Sequence, residues 1–164
     1  MNACFIGHKV IEDPAHIKFL LKETVLELIH QGIDTFLFGS KSMFNDLAHA
    51  TVTELKKQYP HLKRVYVRSS FQYIDYFYKE YLLQFYEETY FPPKLTNAGK
   101  YSYAERNFEM IDKSTCCVFY YNKNYVPLKN SEQKSSLNTK RNSGTSIAYM
   151  YATRKHKRII NLYK

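Results

Sequence analysis

The sequence predicts an α/β protein whose parallel β-sheet has five strands and is covered by helices on both faces, a Rossmann-like three-layer sandwich. Short apolar runs alternate along the chain with longer segments in which apolar residues recur at helical spacing. Continuous apolar runs are typical of parallel strands that are buried on both faces. The chain has 164 residues, of which 45% are hydrophobic, which suffices for a core. We therefore expect a single domain over residues 1–164.

Three strands and two helices alternate in the first part of the chain. The first apolar run ends at Gly7, and Asp13-Pro14 then supplies a helix N-cap with proline at the first helical position. Gly32 marks the end of that first helix. The elements predicted after it are a strand over 35–38, a helix over 44–59 and a strand over 64–67.

Aromatic side chains are concentrated in residues 71–91, where there are ten of them, several at helical spacing. A dense tyrosine stripe is able to stack nucleobases. However, this segment carries Asp75, Glu80, Glu87 and Glu88 against one lysine, and these acids would repel a phosphate backbone. A core or subunit-interface helix is the better interpretation. Because ten aromatics exceed what one buried helix face absorbs, we expect a homodimer built in part on residues 73–86.

The second half of the chain continues the alternation. A strand over 116–120 follows a helix that contains Arg106 and Met110. Residues 122–142 are polar and have no periodicity, which indicates a long loop. A helix then begins at Gly144, and a last strand covers 159–162.

The net charge of +9 is unevenly distributed. Residues 1–121 contain 14 basic and 14 acidic residues, so the whole excess lies in 122–164. Its densest part is a basic patch formed by Arg154, Lys155, Lys157 and Arg158. Two interpretations stay open: the patch attracts a phosphate-bearing ligand or polyanion, or it is the charged C-terminus of a solvated helix. Since the rest of the chain is neutral, we expect nucleic-acid binding to be weak and non-specific at most.

Several classes of protein do not fit the composition. No apolar run reaches the length that a bilayer requires, and residues 1–12 lack a signal-peptide pattern. We therefore expect a soluble, cytoplasmic protein with no membrane partner. The three cysteines, Cys4, Cys116 and Cys117, lie in predicted strands. Their odd number and their spacing argue against a disulfide framework and a zinc site and indicate buried thiols. We also expect no other metal and no cofactor.

Glycines and hydroxyl side chains follow the predicted strands. Gly7-His8-Lys9 comes after the first strand, Gly39-Ser40 after the second, and Ser143-Gly144-Thr145 lies at a helix start. The carboxyl ends of parallel strands meet at one edge of the sheet, which is where ligands bind in such folds. Small residues at helix N-termini let backbone N–H groups approach a phosphate closely. Each turn alone is weak evidence, but their convergence predicts phosphate or nucleotide binding.

Four segments together resemble a known family. Phe5-Ile6-Gly7-His8-Lys9 resembles a Phe-x-Gly-His-Arg opening, and the segment 39–45 is similar to a Gly-Gly-Ala-x-Gly-Phe-Asp turn. The segment 105–112 is similar to Arg-Asn-x-x-Met-Val-Asp, and Ser143-Gly144-Thr145 to a Gly-x-Gly-Thr helix start. These motifs occur in the order found in the SLOG superfamily, the Rossmann-like group that includes DprA/Smf and the LOG phosphoribohydrolases. The resemblance is closest to small bacterial SLOG proteins.

The resemblance implies strand order 3-2-1-4-5 and a nucleotide or nucleotide-derived ligand bound across the first and fourth strands. In LOG enzymes an arginine in an Arg-x-x-x-Met segment contacts the substrate, and Arg106 and Met110 match that spacing. The ligand-binding residues predicted for this chain are Gly7, His8, Lys9, Gly39, Ser40, Asn45, Arg106, Asn107, Ser143, Gly144 and Thr145. His8 is equally suited to capping its own loop, and Asn45 to capping a helix.

The chain departs from the LOG pattern at the catalytic segment. Ala148 stands where LOG enzymes have a glutamate, on the first turn of a helix from which we expect a side chain to face the ribose of the ligand, and Arg141-Asn142 replace two glycines. Cleavage of a glycosidic bond needs a nearby carboxylate. The leading hypothesis is therefore a binding module or sensor for a nucleotide-derived ligand. The alternative is a phosphoribohydrolase or N-glycosidase that uses a carboxylate elsewhere, for which Glu105, Asp46 and Glu109 are the candidates.

Overall fold

The computed structural model describes residues 1–96, 99–125 and 143–164. Most of the predicted loop over 122–142, together with Arg141-Asn142, lies outside these residues. The strands are β1 (Asn2–Gly7), β2 (Thr35–Phe38), β3 (Lys63–Val67), β4 (Glu88–Tyr90), β5 (Cys116–Tyr120) and β6 (Arg158–Asn161). The helices are α1 (Pro14–His30), α2 (Met43–Leu55), α3 (Tyr76–Leu83), α4 (Lys100–Lys113) and α5 (Gly144–Arg154).

The described strands form one parallel sheet in the order β4-β3-β2-β1-β5-β6. The Rossmann-like class is confirmed, and the five predicted strands stand in the predicted relative order. The predicted number is wrong, because β4 adds a sixth strand at the edge. This strand has only three residues, and its side chains are partly exposed. An edge strand of this kind is held by its pairing with β3 and leaves no apolar run in the sequence.

The two faces of the sheet are covered by separate helix pairs. On one face α1 and α2 pack on Phe5, Phe36 and Phe38 in a continuous apolar cluster. On the other face α4 and α5 bury a second cluster that includes Ile6 and Met110. The three cysteines are buried and free, as expected. Alternate residues of β1 therefore serve opposite layers, which fixes the register of the central strand.

Side-chain caps fix the starts of α2 and α5 near the carboxyl edge of the sheet. Ser42 Oγ accepts a hydrogen bond from Asn45 N at 3.2 Å, and Ser143 Oγ accepts one from Ser146 N at 3.1 Å. Each bond satisfies one of the N–H groups that the first turn of a helix leaves unpaired. The predicted helix over 44–59 ends earlier, at Leu55.

No helix in residues 1–96, 99–125 and 143–164 is both long and apolar enough to cross a membrane. The same ranges contain no group of three or more His, Cys, Asp or Glu residues placed to hold a metal ion.

Candidate functional site

The candidate site lies where β1, β2 and β5 end. Gly7 is paired with Tyr120 across the sheet, and the His8 N–H continues the pairing by donating to the Tyr120 carbonyl at 3.1 Å. The Met43 N–H donates to the carbonyl of Lys9 at 3.1 Å. The turn after β1 is thus joined to the end of β5 on one side and to the start of α2 on the other.

Arg106 is the principal charged group of the site. It lies on α4, its side chain is almost fully buried, and its guanidinium reaches across to the turn after β2. It donates to the carbonyl of Gly39, to Ser40 Oγ at 3.3 Å and to Asn107 Oδ1 at 3.2 Å. These acceptors are all uncharged, so these three hydrogen bonds supply no counter-ion for the positive charge. Burial lowers the pKa of Arg106 to about 10, which still leaves it a cation at neutral pH.

Gly39 makes room for this arginine. A Cβ atom on Gly39 would lie 2.5 Å from Arg106 Cδ, 2.7 Å from its Nε and 2.9 Å from Met110 Sδ. No such approach is compatible with ordinary van der Waals contact. The sequence led us to expect that this glycine opens the backbone to a phosphate. In the structure its direct effect is to let the Arg106 side chain lie against the end of β2.

Gly7 and Gly144 have contrasting surroundings. A Cβ on Gly7 would lie 2.4 Å from Phe44 Cδ1 and 2.7 Å from Phe44 Cβ, so this glycine allows α2 to pack closely on β1. A Cβ on Gly144 would meet no atom of the described residues within 4 Å. The sequence predicts that both glycines leave the backbone accessible to a phosphate, and of these two positions only Gly144 has such space beside it.

His8 is buried at the end of β1 and has one unpartnered nitrogen. Its Nε2 lies 2.9 Å from Asn122 N and 3.1 Å from Asn122 O. Because a backbone N–H only donates, Nε2 accepts from it and Nδ1 carries the proton of the neutral ring. Nδ1 is buried without a partner among the described residues. Burial lowers the pKa of His8, so the neutral form dominates at neutral pH; the Asn122 carbonyl, which would accept from a protonated Nε2, opposes this shift.

Asn45 presents the complementary case of an unpartnered acceptor. Its backbone N and its Nδ2 both donate to Ser42 Oγ at 3.2 Å. Asn45 therefore takes part in the cap of α2, which was the alternative to ligand binding in the sequence analysis. Its Oδ1 is buried and meets no donor within the described part of the chain. A buried polar atom without a hydrogen bond costs about 1–3 kcal/mol, and such atoms in native proteins call for a water or a ligand.

The start of α5 offers free backbone donors. Ser143 is the N-cap, and its Oγ is used by Ser146 N. The N–H groups of Gly144 and Thr145, the first two of the helix, have no partner among residues 1–96, 99–125 and 143–164. Ser146 Oγ lies 3.5 Å from Tyr121 OH, directly after β5. This contact places the helix start beside the carboxyl end of β5, where the dipole favours an anion.

The predicted ligand residues play different parts in this arrangement. Arg106, Ser40 and Gly39 are in direct contact, and His8 and Asn45 hold the unpartnered atoms. Asn107 holds the Arg106 Nε through its side-chain oxygen, and this contact orients the arginine. Lys9 is exposed and contributes only its carbonyl to the contacts described above.

The candidate catalytic carboxylates have other contacts. Glu105 accepts hydrogen bonds from Thr96 N at 3.2 Å and Thr96 Oγ1 at 3.4 Å. Glu109 pairs with Lys113 at 3.0 Å, and Asp46 is exposed on the first turn of α2.

Ala148, which replaces the LOG glutamate, is fully buried in the apolar cluster with Met110. From its position after Thr145 we expected a side chain here to face the ligand. The structure places this methyl group in the core instead.

Sequence reasoning missed the residues after β5. Tyr125 stacks on His8 with ring centroids 3.9 Å apart, and Asn122 supplies the donor to its Nε2. Both fall in the segment that we read only as a polar loop. The signal was present in the predicted strand order, since β1 and β5 are neighbours and the residues that follow them must meet.

The basic patch of residues 154–158 is at the other end of the sheet. It lies at the end of α5 and the start of β6, whereas the candidate site is at the carboxyl edge. Lys157 Nζ donates to the carbonyls of Ser114 and Asp112 at 2.8 and 3.0 Å, and Arg158 pairs with Glu27 at 3.3 Å. These contacts favour the interpretation as a charged helix C-terminus.

The fold and the motifs agree with one comparison to known proteins. The model of the family YpsA, described as the YspA SLOG family, matches residues 11–154. This range includes Gly39, Arg106 and Gly144 and begins just after the turn that follows β1. No curated protein matches the chain significantly.

Proposed function

Because the chain belongs to the YspA SLOG family, we propose that it binds a phosphate-bearing nucleotide or nucleotide-derived small molecule at the carboxyl edge of its sheet. Membership in this family supports a nucleotide-related role in general. The finer proposal is that the protein acts as a binding module or sensor, and it rests on the chemistry of the site.

The observation that carries the proposal is the buried charge of Arg106. A guanidinium removed from water is costly unless an anion compensates it. Three of its five N–H groups have described acceptors, which leaves one further N–H on each terminal nitrogen. A phosphate accepts two such parallel hydrogen bonds, and charge-assisted bonds of this type are the strong ones. Phosphate is therefore the anion that this group fits best.

The remaining polar groups suit the other parts of a nucleotide. The N–H groups of Gly144 and Thr145, which have no acceptor among the described residues, add donors for phosphate oxygens. The Nδ1–H of His8 and the Oδ1 of Asn45 provide one donor and one acceptor without partners. Ribose hydroxyls and nucleobase edges both donate and accept, so they match this pair in a way that a simple inorganic anion does not.

Hydrolysis of a glycosidic bond receives no comparable support. The described contacts of Glu105 are with Thr96, Glu109 is paired with Lys113, and Ala148 lies in the core. We therefore propose binding without assigning a reaction.

A thermal-shift series tests the proposal. Nucleoside mono- and diphosphates, cyclic nucleotides and ADP-ribose are compared with the corresponding nucleosides and with inorganic phosphate. At about 100 times the dissociation constant a ligand stabilises the fold by about 2.7 kcal/mol. For a chain of this size that raises the melting temperature by about 5–11 °C.

Matched lysine variants identify the site. Arg106→Lys keeps the charge but loses the planar fork, so we expect its affinity for the stabilising nucleotide to fall at least about tenfold. Arg154→Lys makes the same change on the exposed end of α5 and should leave the response intact. No response to any phosphate compound, or an equal loss in both variants, would show that the site is assigned wrongly.

A further inference from the structure

The segment around α3 exposes a continuous set of aromatic side chains, which we call the α3 aromatic surface. Its members are Phe71, Tyr73, Tyr76, Phe77, Tyr78, Tyr81 and Phe85. Tyr73 and Phe77 are 87% and 83% exposed, and Leu82 is the only buried residue of α3. We propose that a second copy of this chain binds to the α3 aromatic surface and that the protein is a homodimer.

The surface is contiguous. The Tyr81 ring lies 5.4 Å from Phe85 and 6.5 Å from Tyr78, measured between ring centroids. Tyr78 also lines, together with Phe71 and Tyr73, a recess of about 280 Å³ next to the start of the helix. Five of the rings therefore lie together around a shallow depression, and Tyr76 and Phe77 form an adjoining pair on the same helix, with ring centroids 5.9 Å apart.

The size of the patch matches what a stable dimer needs. At about 200 Å² for a fully exposed ring, the exposed fractions of the seven side chains amount to about 900 Å². The largest apolar patch on a typical monomer is about 300–600 Å². A standard protein–protein interface buries about 800 Å² on each partner, so the combined exposed area of these rings is of the size that such an interface requires.

The position of the patch at the edge of the sheet gives a second reason. α3 packs against β4, the three-residue strand at one edge of the described sheet. The outer side of β4 carries backbone groups that no described strand pairs with, and native proteins generally cover such edges. A protein partner seated on α3 would also shield this edge.

The charges around the rings favour a protein partner over a nucleic acid. Asp75 caps α3 with its side chain, and Glu80 lies on the helix beside Lys79. Acidic groups among the rings oppose a phosphate backbone. The neighbouring Lys79 and Glu80 suit a second copy, because a two-fold axis reverses the helix and lets the lysine of each copy meet the glutamate of the other.

The test is the mass of the full chain in solution, measured by light scattering on a size-exclusion column from about 1 to 100 μM. We expect twice the chain mass of 19.5 kDa for the wild type. Phe77→Glu puts a charge at the centre of the patch and should raise the dissociation constant at least about 100-fold, giving monomer. Phe19→Glu changes an exposed ring on α1 and should stay dimeric.

A second variant distinguishes loss of the dimer from loss of the fold. Tyr73→Ser lies before the helix, so it weakens the dimer without altering α3, and circular dichroism checks that each variant is folded. A wild type that is monomeric at 100 μM, or a folded Phe77→Glu protein that stays dimeric, overturns the proposal. So does a monomeric wild type that binds an oligonucleotide through Phe77. The nucleotide response of the Phe77→Glu monomer is expected to persist, so the two proposals fail separately.

Discussion

Replacing Gly39 by alanine tests whether close packing at the end of β2 holds Arg106 in place. The new methyl group would lie 2.5 Å from Arg106 Cδ and 2.9 Å from Met110 Sδ. Because ordinary contacts between such atoms are about 3.5–4.0 Å, these groups must move by about 1 Å. The arginine cannot move freely, since it is buried and donates to Gly39 itself and to Ser40.

The expected cost follows from these contacts. Overpacking of this kind costs about 1–3 kcal/mol, and one weakened charge-assisted hydrogen bond costs a similar amount. A net loss of about 2 kcal/mol lowers the melting temperature of a chain this size by about 4–8 °C. Urea denaturation followed by circular dichroism measures the loss, which should appear as a lower midpoint with an unchanged slope.

Gly144→Ala is the matched control. It adds the same methyl group at the start of α5, where no atom in the described part of the chain lies within 4 Å of it and φ is not positive. We expect stability to be unchanged or to rise by about 0.4–1 kcal/mol, because alanine restricts the unfolded chain. If Gly39→Ala were as stable as the wild type, or if both variants lost stability equally, Gly39 would not be the residue that seats Arg106.

The other predictions concern pH, nucleic acid and catalysis. Burial raises the pKa of Glu87, but the hydrogen bonds and the charge of Arg64 outweigh burial and lower this pKa to about 2. The contribution of Glu87 to stability is therefore complete above the ordinary glutamate pKa and is lost as the pH falls towards 2. Glu87→Gln should flatten the acid limb of the stability profile, whereas Glu88→Gln, at an exposed ion pair with Lys63, should not. Fluorescence anisotropy with oligonucleotides should show weak, sequence-independent binding that falls steeply with salt; binding that is selective or insensitive to salt would contradict this. Chromatography of nucleoside monophosphates should show no base release near 1 s⁻¹, the low end of ordinary enzymes, and Ala148→Glu should unfold the protein, because it buries a carboxylate in the core.

The sequence predicted the central sheet well because the core strands carry their own signal. Phe5, Phe36 and Phe119 lie in uninterrupted apolar runs, and such runs have few alternatives to buried parallel strands. The edge strand β4 has no such signal, since Glu88 is exposed, Thr89 and Tyr90 are only partly buried, and all three are held by backbone pairing with β3. Pairing with a neighbour is a property of the fold and is not encoded in three polar residues.

The sequence predicted which segments form the site, but the role of each residue could be assigned only from the three-dimensional structure. The motif that contains Arg106 was visible, whereas its burial against Gly39 was not, because that contact joins residues 67 positions apart. Ala148 shows the opposite error. Its distance from Thr145 along the helix suggested a ligand-facing position, but the rotation of α5 turns this residue into the core between α4 and the sheet.

The most direct test of nucleotide binding is a crystal structure of the chain with the nucleotide that raises the melting temperature most. We expect a phosphate oxygen about 2.7–2.9 Å from each terminal nitrogen of Arg106, with the sugar or base near His8 and Asn45. A nucleotide whose phosphate instead lies at the basic edge around Lys155 and Lys157, with Arg106 making only its contacts to Gly39, Ser40 and Asn107, would contradict the central claim.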